Sequence, residues 1–108
     1  MSTFHVLIFT NPVAGREAEF HEWYETTHLD DVLATAGFTA AQRFGLEVEI
    51  GLEQPNKHLA WYEGEGESAQ EVGDRLNSTR PDRELSDSID GSQVAMWVFS
   101  ELGERHEV

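Results

Sequence analysis

The sequence predicts an α+β fold of the ferredoxin-like kind, in which a four-stranded antiparallel sheet carries two helices on one face. Four segments are rich in aromatic and β-branched residues, which is typical of strands. Two others have apolar residues three and four apart, as helices do. Their order is strand, helix, strand, strand, helix, strand, and two consecutive β-α-β units form this arrangement. The predicted strands are residues 4–10, 38–46, 58–63 and 94–101.

Sequence signals indicate where the first strand and the first helix end. The strand FHVLIFT stops at Asn11-Pro12, which favours a turn. Residues 16–27 then form a predicted helix with Phe20, Trp23, Tyr24 and Thr27 on one side. Leu29, Val32 and Leu33 do not continue this stripe. The pattern therefore predicts a break or bend beside His28, followed by a short helical turn, DVLAT, that ends at Gly37.

The second half repeats the plan with longer connections. Residues 47–57 predict a polar connection, and GEGE, residues 64–67, predicts a turn. Ser68 and Glu71 have the spacing of a capping box at the start of the second helix, whose apolar stripe is Ala69, Val72, Gly73 and Leu76. Residues 78–92 lack periodicity and predict a long mobile loop, and the tail after residue 101 is expected to fray.

Both faces of the predicted sheet are apolar. The first and last strands carry bulky residues at both alternating sets of positions, whereas two helices cover only one face. A second copy of the chain is the simplest cover for the other face. The sequence therefore predicts a homodimer in which two sheets enclose an apolar interior.

Composition excludes several classes of protein. With 108 residues, the chain has the size of a single domain, residues 1–108. Its net charge of −14 disfavours nucleic-acid and membrane partners. There is no cysteine, hence no disulfide and no thiolate chemistry. The first residues do not form a leader or membrane segment, so a cytoplasmic location is expected.

Tyr24 and His28 are the candidate acid–base pair. Residues four apart on a helix are neighbours, so both side chains would reach one small ligand. A neutral imidazole accepts a proton, and a phenol donates a hydrogen bond to a developing oxyanion. Asp31 would orient the imidazole, or would instead cap a helix. Alternatively, Tyr24 packs in the core and His28 caps a carbonyl.

Other candidates would bind the substrate. Arg43 is one of seven basic residues and would hold a substrate anion, or would pair with an acid such as Glu63. Asn11 would form an Asx turn or point into the pocket. Aromatic side chains would be core residues, and some would line an apolar pocket. These aromatic candidates are Phe9, Phe20, Trp23, Trp61 and Trp97.

No metal and no cofactor are expected. The five histidines have no recognised ligand spacing, and the glycine-containing stretch at residues 64–67 includes acids that would repel phosphate. A zinc site that includes His21 and His28 would require an unbroken helix.

Residues 11–44, NPVAGREAEFHEWYETTHLDDVLATAGFTAAQRF, resemble the dimeric α+β barrel superfamily, and most nearly its small EthD-like (ethyl tert-butyl ether degradation-like) members. Tyr62-Glu63 fits this resemblance too. Asp30 stands where related motifs often have proline. The resemblance implies a dimeric barrel, with a pocket between the sheet and the long helix and the motif histidine near its mouth.

The resulting functional prediction is a cofactor-independent enzyme. It would act by acid–base chemistry on a small apolar or aromatic carbonyl or phenolic metabolite, as an isomerase, dehydratase, cyclase or cofactor-free monooxygenase of the dimeric α+β barrel type. The alternatives are a non-catalytic protein that binds a small hydrophobic ligand and an accessory domain whose cavity its own side chains fill.

Overall fold

The computed structural model describes all 108 residues and has the predicted order of strands and helices. The strands are β1 (Ser2–Thr10), β2 (Ala40–Gly45), β3 (His58–Gly66) and β4 (Ala95–Ser100), and the helices are α1 (Glu17–Trp23), α2 (Leu29–Ala36) and α3 (Ala69–Ser78). The sheet order is β2-β3-β1-β4, and every neighbouring pair is antiparallel. The predicted α+β class and four-stranded antiparallel sheet are confirmed. None of the helices is both long and apolar enough to cross a bilayer.

The helix does not break at His28, and the irregularity predicted there is a change of helical type. A π-helical segment, Tyr24–His28, joins α1 to α2. A π turn holds an additional residue, which changes the phase of the residues that follow it. Val32 and Ala36 therefore join the same core as Phe20 and Tyr24, although the helical stripe is interrupted in the sequence. The helix ends where predicted, at Gly37, whose φ of 72° is left-handed.

The predicted turn at residues 64–67 is also wrong, because β3 continues to Gly66. A Cβ on Gly64 would lie 2.4 Å from the Phe38 ring, and one on Gly66 would lie 2.5 Å from a Val72 methyl group. These glycines allow side chains to pack directly on the strand backbone. The N-cap that follows is confirmed, since Ser68 Oγ accepts a hydrogen bond from Glu71 N–H at 3.1 Å, but the reciprocal bond of a capping box, from Ser68 N–H to the Glu71 carboxylate, is absent.

Residues 79–94 have little regular structure but are tied to the rest of the chain. Only Arg80–Asp82 forms a 3₁₀ turn. Val13 N–H donates to the Ser88 carbonyl at 2.7 Å, and Asp90 N–H donates to the Asn11 carbonyl at 2.9 Å. Ser88 is fully buried. The predicted long loop is therefore a wall held by hydrogen bonds.

The two faces of the sheet differ in their cover. We call the side that the helices cover the covered face and the opposite side the open face. Phe4, Val6, Ala60 and Tyr62 point from β1 and β3 into the core on the covered face. On the open face Phe44, Trp97 and Phe99 are 47–50% exposed. Leu7, Phe9, Leu59 and Trp61 lie between them and are partly exposed.

Candidate functional site

A cavity of about 380 Å³ lies on the covered face, between the sheet, the helical stretch and the wall formed by residues 79–94. This volume is within the range of small-molecule sites. Apolar side chains from each element line it: Ile8, Val32, Leu76, Ile89, Val94 and Met96. Its polar groups include Tyr24, His28 and two arginines. The cavity has the composition of a site for a small, largely apolar ligand with one polar end.

Tyr24 and His28 both line this cavity. Their ring centroids are 5.1 Å apart and the rings are nearly perpendicular, at 86°. Trp23 stacks on His28 with centroids 4.2 Å apart, and its indole N–H donates to the Glu84 carbonyl at 3.0 Å. The helical stretch thus places the phenol and the imidazole within reach of one ligand.

The His28 ring has no hydrogen-bond partner in the protein, and its Nδ1 atom is buried. Burial, together with the positive charges of Arg83 and Arg80, lowers the pKa of His28 to about 4, against the opposite effect of Asp31. The ring is therefore neutral near pH 7. It is able to accept a hydrogen bond or a proton from a ligand.

The Tyr24 phenol is protonated near neutral pH. Burial raises its pKa, while Thr10 and the charge of Arg43 act in the opposite direction. Thr10 is a cavity residue that the sequence did not single out. A protonated phenol at the cavity surface is a hydrogen-bond donor for a ligand oxygen.

The Asp31 carboxylate binds the segment of residues 79–94 and does not bind the His28 imidazole. Its Oδ2 accepts a hydrogen bond from Glu84 N–H at 3.2 Å, and no hydrogen bond joins it to His28. Its charge still raises the pKa of His28. Neither role weighed for Asp31 is seen, because it makes no hydrogen bond to His28 and caps no helix.

Arg43 and Asn11 do not line the cavity. Arg43 donates to Glu25 at 3.2 Å and to His21 Nδ1 at 2.7 Å, so its acidic partner is not Glu63. Its guanidinium also lies over the Tyr24 ring, 4.7 Å from the centroid. Asn11 donates to the Pro55 carbonyl and accepts from Lys57 N–H, which fixes residues 47–57.

The five aromatic candidates separate into three locations. Trp23 lines the cavity. Phe20 is fully buried in the core, in edge contact with Tyr24 at 5.1 Å. Phe9, Trp61 and Trp97 lie on the open face, where Phe9 and Trp97 contact each other at 4.8 Å. These last three face away from the cavity because alternate residues of a strand point to opposite sides.

Sequence reasoning missed Arg80 and Arg83. Both line the cavity, and both belong to the loop that was predicted to be mobile. The chain has only seven basic residues, and two of them lie within STRPDRE, residues 78–84. The presence of two of only seven basic residues in this short stretch was the sequence signal that could have indicated an anion site there.

One group of side chains has the spacing of metal ligands, namely His5, Glu63 and Glu101 on the open-face side. Both nitrogens of His5 already have partners. Trp61 N–H donates to Nδ1 at 3.0 Å, so the proton is on Nε2, which lies 3.0 Å from Glu101. Hydrogen bonds occupy both nitrogens of His5, and Glu63 lies 4.0 Å from Nδ1. His21 packs against His58 at 5.2 Å and does not join His28 in the cavity.

Compared with known protein families and with curated protein sequences, the chain matches none.

Proposed function

We propose that the chain is an enzyme that moves a proton on a small apolar or aromatic carbonyl or phenolic compound bound in the cavity on the covered face. His28 would accept the proton, and Tyr24 would donate a hydrogen bond to the substrate oxygen. The observation that carries this proposal is the joint position of a neutral, unpartnered imidazole and a protonated phenol at one apolar cavity.

The chemistry requires no cofactor. Abstraction of a proton beside a carbonyl leaves negative charge on the oxygen, and the Tyr24 phenol would stabilise that charge. A positioned base typically contributes about 10²–10⁴-fold to the rate. The reaction class would be isomerisation, dehydration, cyclisation or direct oxygenation, all of which begin with such a step.

Exchange of carbon-bound hydrogen tests this step without knowledge of the full reaction. Phenylacetone and related aryl ketones in D₂O would lose their α-proton signals faster with the protein than in buffer. We expect His28→Gln to slow this exchange about 100-fold and Tyr24→Phe about 10-fold. His106→Gln, in the exposed tail, is the matched control. Equal exchange rates with wild-type protein and His28→Gln would contradict the assignment.

A binding protein without catalysis is the second candidate, and two observations favour it. No hydrogen bond orients the His28 ring. A pKa of about 4 is also far below the value that suits a general base near pH 7. This candidate predicts saturable binding of aryl ketones with no exchange above buffer, and unchanged affinity in His28→Gln.

We also propose that the functional unit is a homodimer closed through the open face. A folded 12.2 kDa monomer exposes about 6,100 Å² by size scaling, whereas this chain exposes 7140 Å². The excess of about 1,000 Å² is close to the roughly 800 Å² that one partner contributes to a standard interface. The extended tail and residues 46–53 account for part of it.

The dimeric barrel, the EthD-like membership suggested by residues 11–63 and the cytoplasmic location belong to this proposal. The observed strand order and the cavity beside His28 are what such a relationship leads one to expect.

A further inference from the structure

The cationic side chains of this acidic chain separate into two groups. Five of the seven form ion pairs with carboxylates, namely Arg16, Arg43, Lys57, Arg75 and Arg105. The other two, Arg80 and Arg83, form none, although the chain has 21 acidic residues. These two are also the only cations that line the cavity.

Arg83 is buried, with only 8% of its surface exposed. Its guanidinium makes three hydrogen bonds, to Thr35 Oγ1 at 3.0 Å, Thr79 Oγ1 at 2.9 Å and the Leu76 carbonyl at 2.7 Å. All three acceptors are neutral. An arginine has five N–H donors, so two remain without an acceptor, and one of these is Nε.

A structural role accounts for only part of this arrangement. The Leu76 carbonyl lies in the last turn of α3, where the helix dipole favours a cation. The dipole supplies about half a negative charge, so it leaves a net positive charge on Arg83. Burial has the largest effect on the pKa of Arg83 and lowers it, as does the charge of Arg80, against the opposite effects of Tyr62, Asp31 and Asp82. A buried charge without an ionic partner is costly unless a ligand supplies that partner.

We propose that the cavity binds a small organic carboxylate, with the carboxylate beside Arg83 and Arg80 and an apolar or aromatic body against the walls. The inference deepens the proposed function by naming the substrate class for the same cavity. A carboxylate matches the planar, charged donors of arginine. The apolar lining restricts the rest of the ligand to hydrocarbon or aromatic groups.

The same ligand would adjust the base. Arg83 and Arg80 both lower the pKa of His28, whereas Asp31 raises it. A carboxylate beside the two arginines would offset their charge, which removes part of the effect that makes His28 a weak base. Binding of a carboxylate would thus raise the pKa of His28 and make it a stronger base.

The mouth of the cavity is lined by acidic side chains as well as by Arg80. A surface depression shares Trp23, Arg80, Leu85 and Ser86 with the cavity and is also lined by Glu19, Glu84 and Asp87. Glu19 and Asp87 are both paired with Arg16, which reduces the repulsion they exert on an anion. Arg80 is exposed at this mouth and, unlike Arg16, forms no ion pair, so it is free to meet an entering anion.

The test compares 2-naphthoate with 2-naphthalenemethanol, which has the same aromatic body without the charge, by calorimetric titration of the full chain. We expect naphthoate to bind at least 10-fold more tightly than the alcohol. Arg83→Met is expected to remove that preference, and Arg80→Met to reduce it about 3-fold, while the alcohol binds as before. Arg105→Met, which removes an equal charge from the tail, should change neither affinity.

Arg80→Met decides the question if Arg83→Met does not fold, because the Arg80 side chain makes no hydrogen bond whose loss would destabilise the chain. Equal affinities for naphthoate and the alcohol would overturn the proposal, as would unchanged naphthoate binding in Arg80→Met and any folded Arg83→Met. The proposed catalysis fails separately. If naphthoate binds but the aryl ketones show no α-proton exchange above buffer, the carboxylate site stands and the proposed catalysis is wrong.

Discussion

The two faces of the sheet are built from alternate residues of the same strands, yet they have different surroundings. In β1, Phe4 and Val6 are 6% and 0% exposed beneath the helices. Their neighbours His5, Leu7 and Phe9 point to the open face, where Trp97 and Phe99 remain about half exposed. The covered face also holds the cavity with its unpaired charges.

The difference indicates a division of roles. The covered face holds the cavity, where His28 and Arg83 each have a buried nitrogen without a hydrogen-bond partner, as expected of a ligand site. The open face is broad and apolar, with Phe9 in contact with Trp97 and with Leu7, Leu59 and Trp61 beside them, as expected of an interface between copies. In the monomer, the apolar side chains of the covered face are buried by the helices, whereas those of the open face remain partly exposed.

The largest expected effect comes from a matched pair of phenylalanines on β1. Phe4→Ala removes a buried ring, and we expect a loss of about 3–5 kcal/mol in the free energy of unfolding. Phe9→Ala removes a partly exposed ring and should cost about 1 kcal/mol in dilute protein, rising with concentration if Phe9 is buried in a dimer. Urea unfolding at two protein concentrations measures both. Equal losses independent of concentration would contradict the contrast between the faces.

A charge on the open face should affect association and leave folding intact. We expect Trp97→Lys to weaken dimerisation by at least 30-fold, since truncation of a central aromatic residue in an interface costs about 2 kcal/mol or more. Ala34→Lys, at an exposed position of α2, is the control. Sedimentation equilibrium measures both dissociation constants. An unchanged constant in Trp97→Lys would place the interface elsewhere.

The smallest effect concerns pH and the covered face. The pKa of His28 is about 4 in the folded chain, under the influence of burial, Arg83, Arg80 and Asp31, against an ordinary 6.5. The unfolded chain therefore binds more protons between these values, and stability falls as pH decreases through that window. From pH 7.5 to 5.5, wild type should lose about 1 kcal/mol more than His28→Gln. Parallel losses would mean that His28 is not buried as described.

Local chemistry explains why some elements were predictable. Asn11-Pro12 ends β1, Ser68 caps α3 and Gly37 ends α2, and each depends only on neighbouring residues. Gly64 and Gly66 misled because glycine marks both a turn and a close approach of side chains to a strand, and only the positions of Phe38 and Val72 distinguish these. The π segment depends on tertiary packing in the same way.

The site was predictable only along the helix. Tyr24 and His28 share the cavity because one helical stretch fixes their spacing. Arg83 could not be placed, because its surroundings come from α2, α3 and the residues after α3. Trp61 and Trp97 were assigned to the pocket because composition does not tell which side of a strand faces the helices.

The three tryptophans allow one measurement to test the separation of roles. Trp23 lies at the cavity, whereas Trp61 and Trp97 lie on the open face. In ¹⁵N-labelled protein, their indole N–H signals report on both faces in one spectrum. Addition of 2-naphthoate should shift the Trp23 signal and leave the other two, and dilution should shift Trp97 and leave Trp23. Naphthoate shifts at Trp97 with none at Trp23, or no response to dilution, would contradict the account.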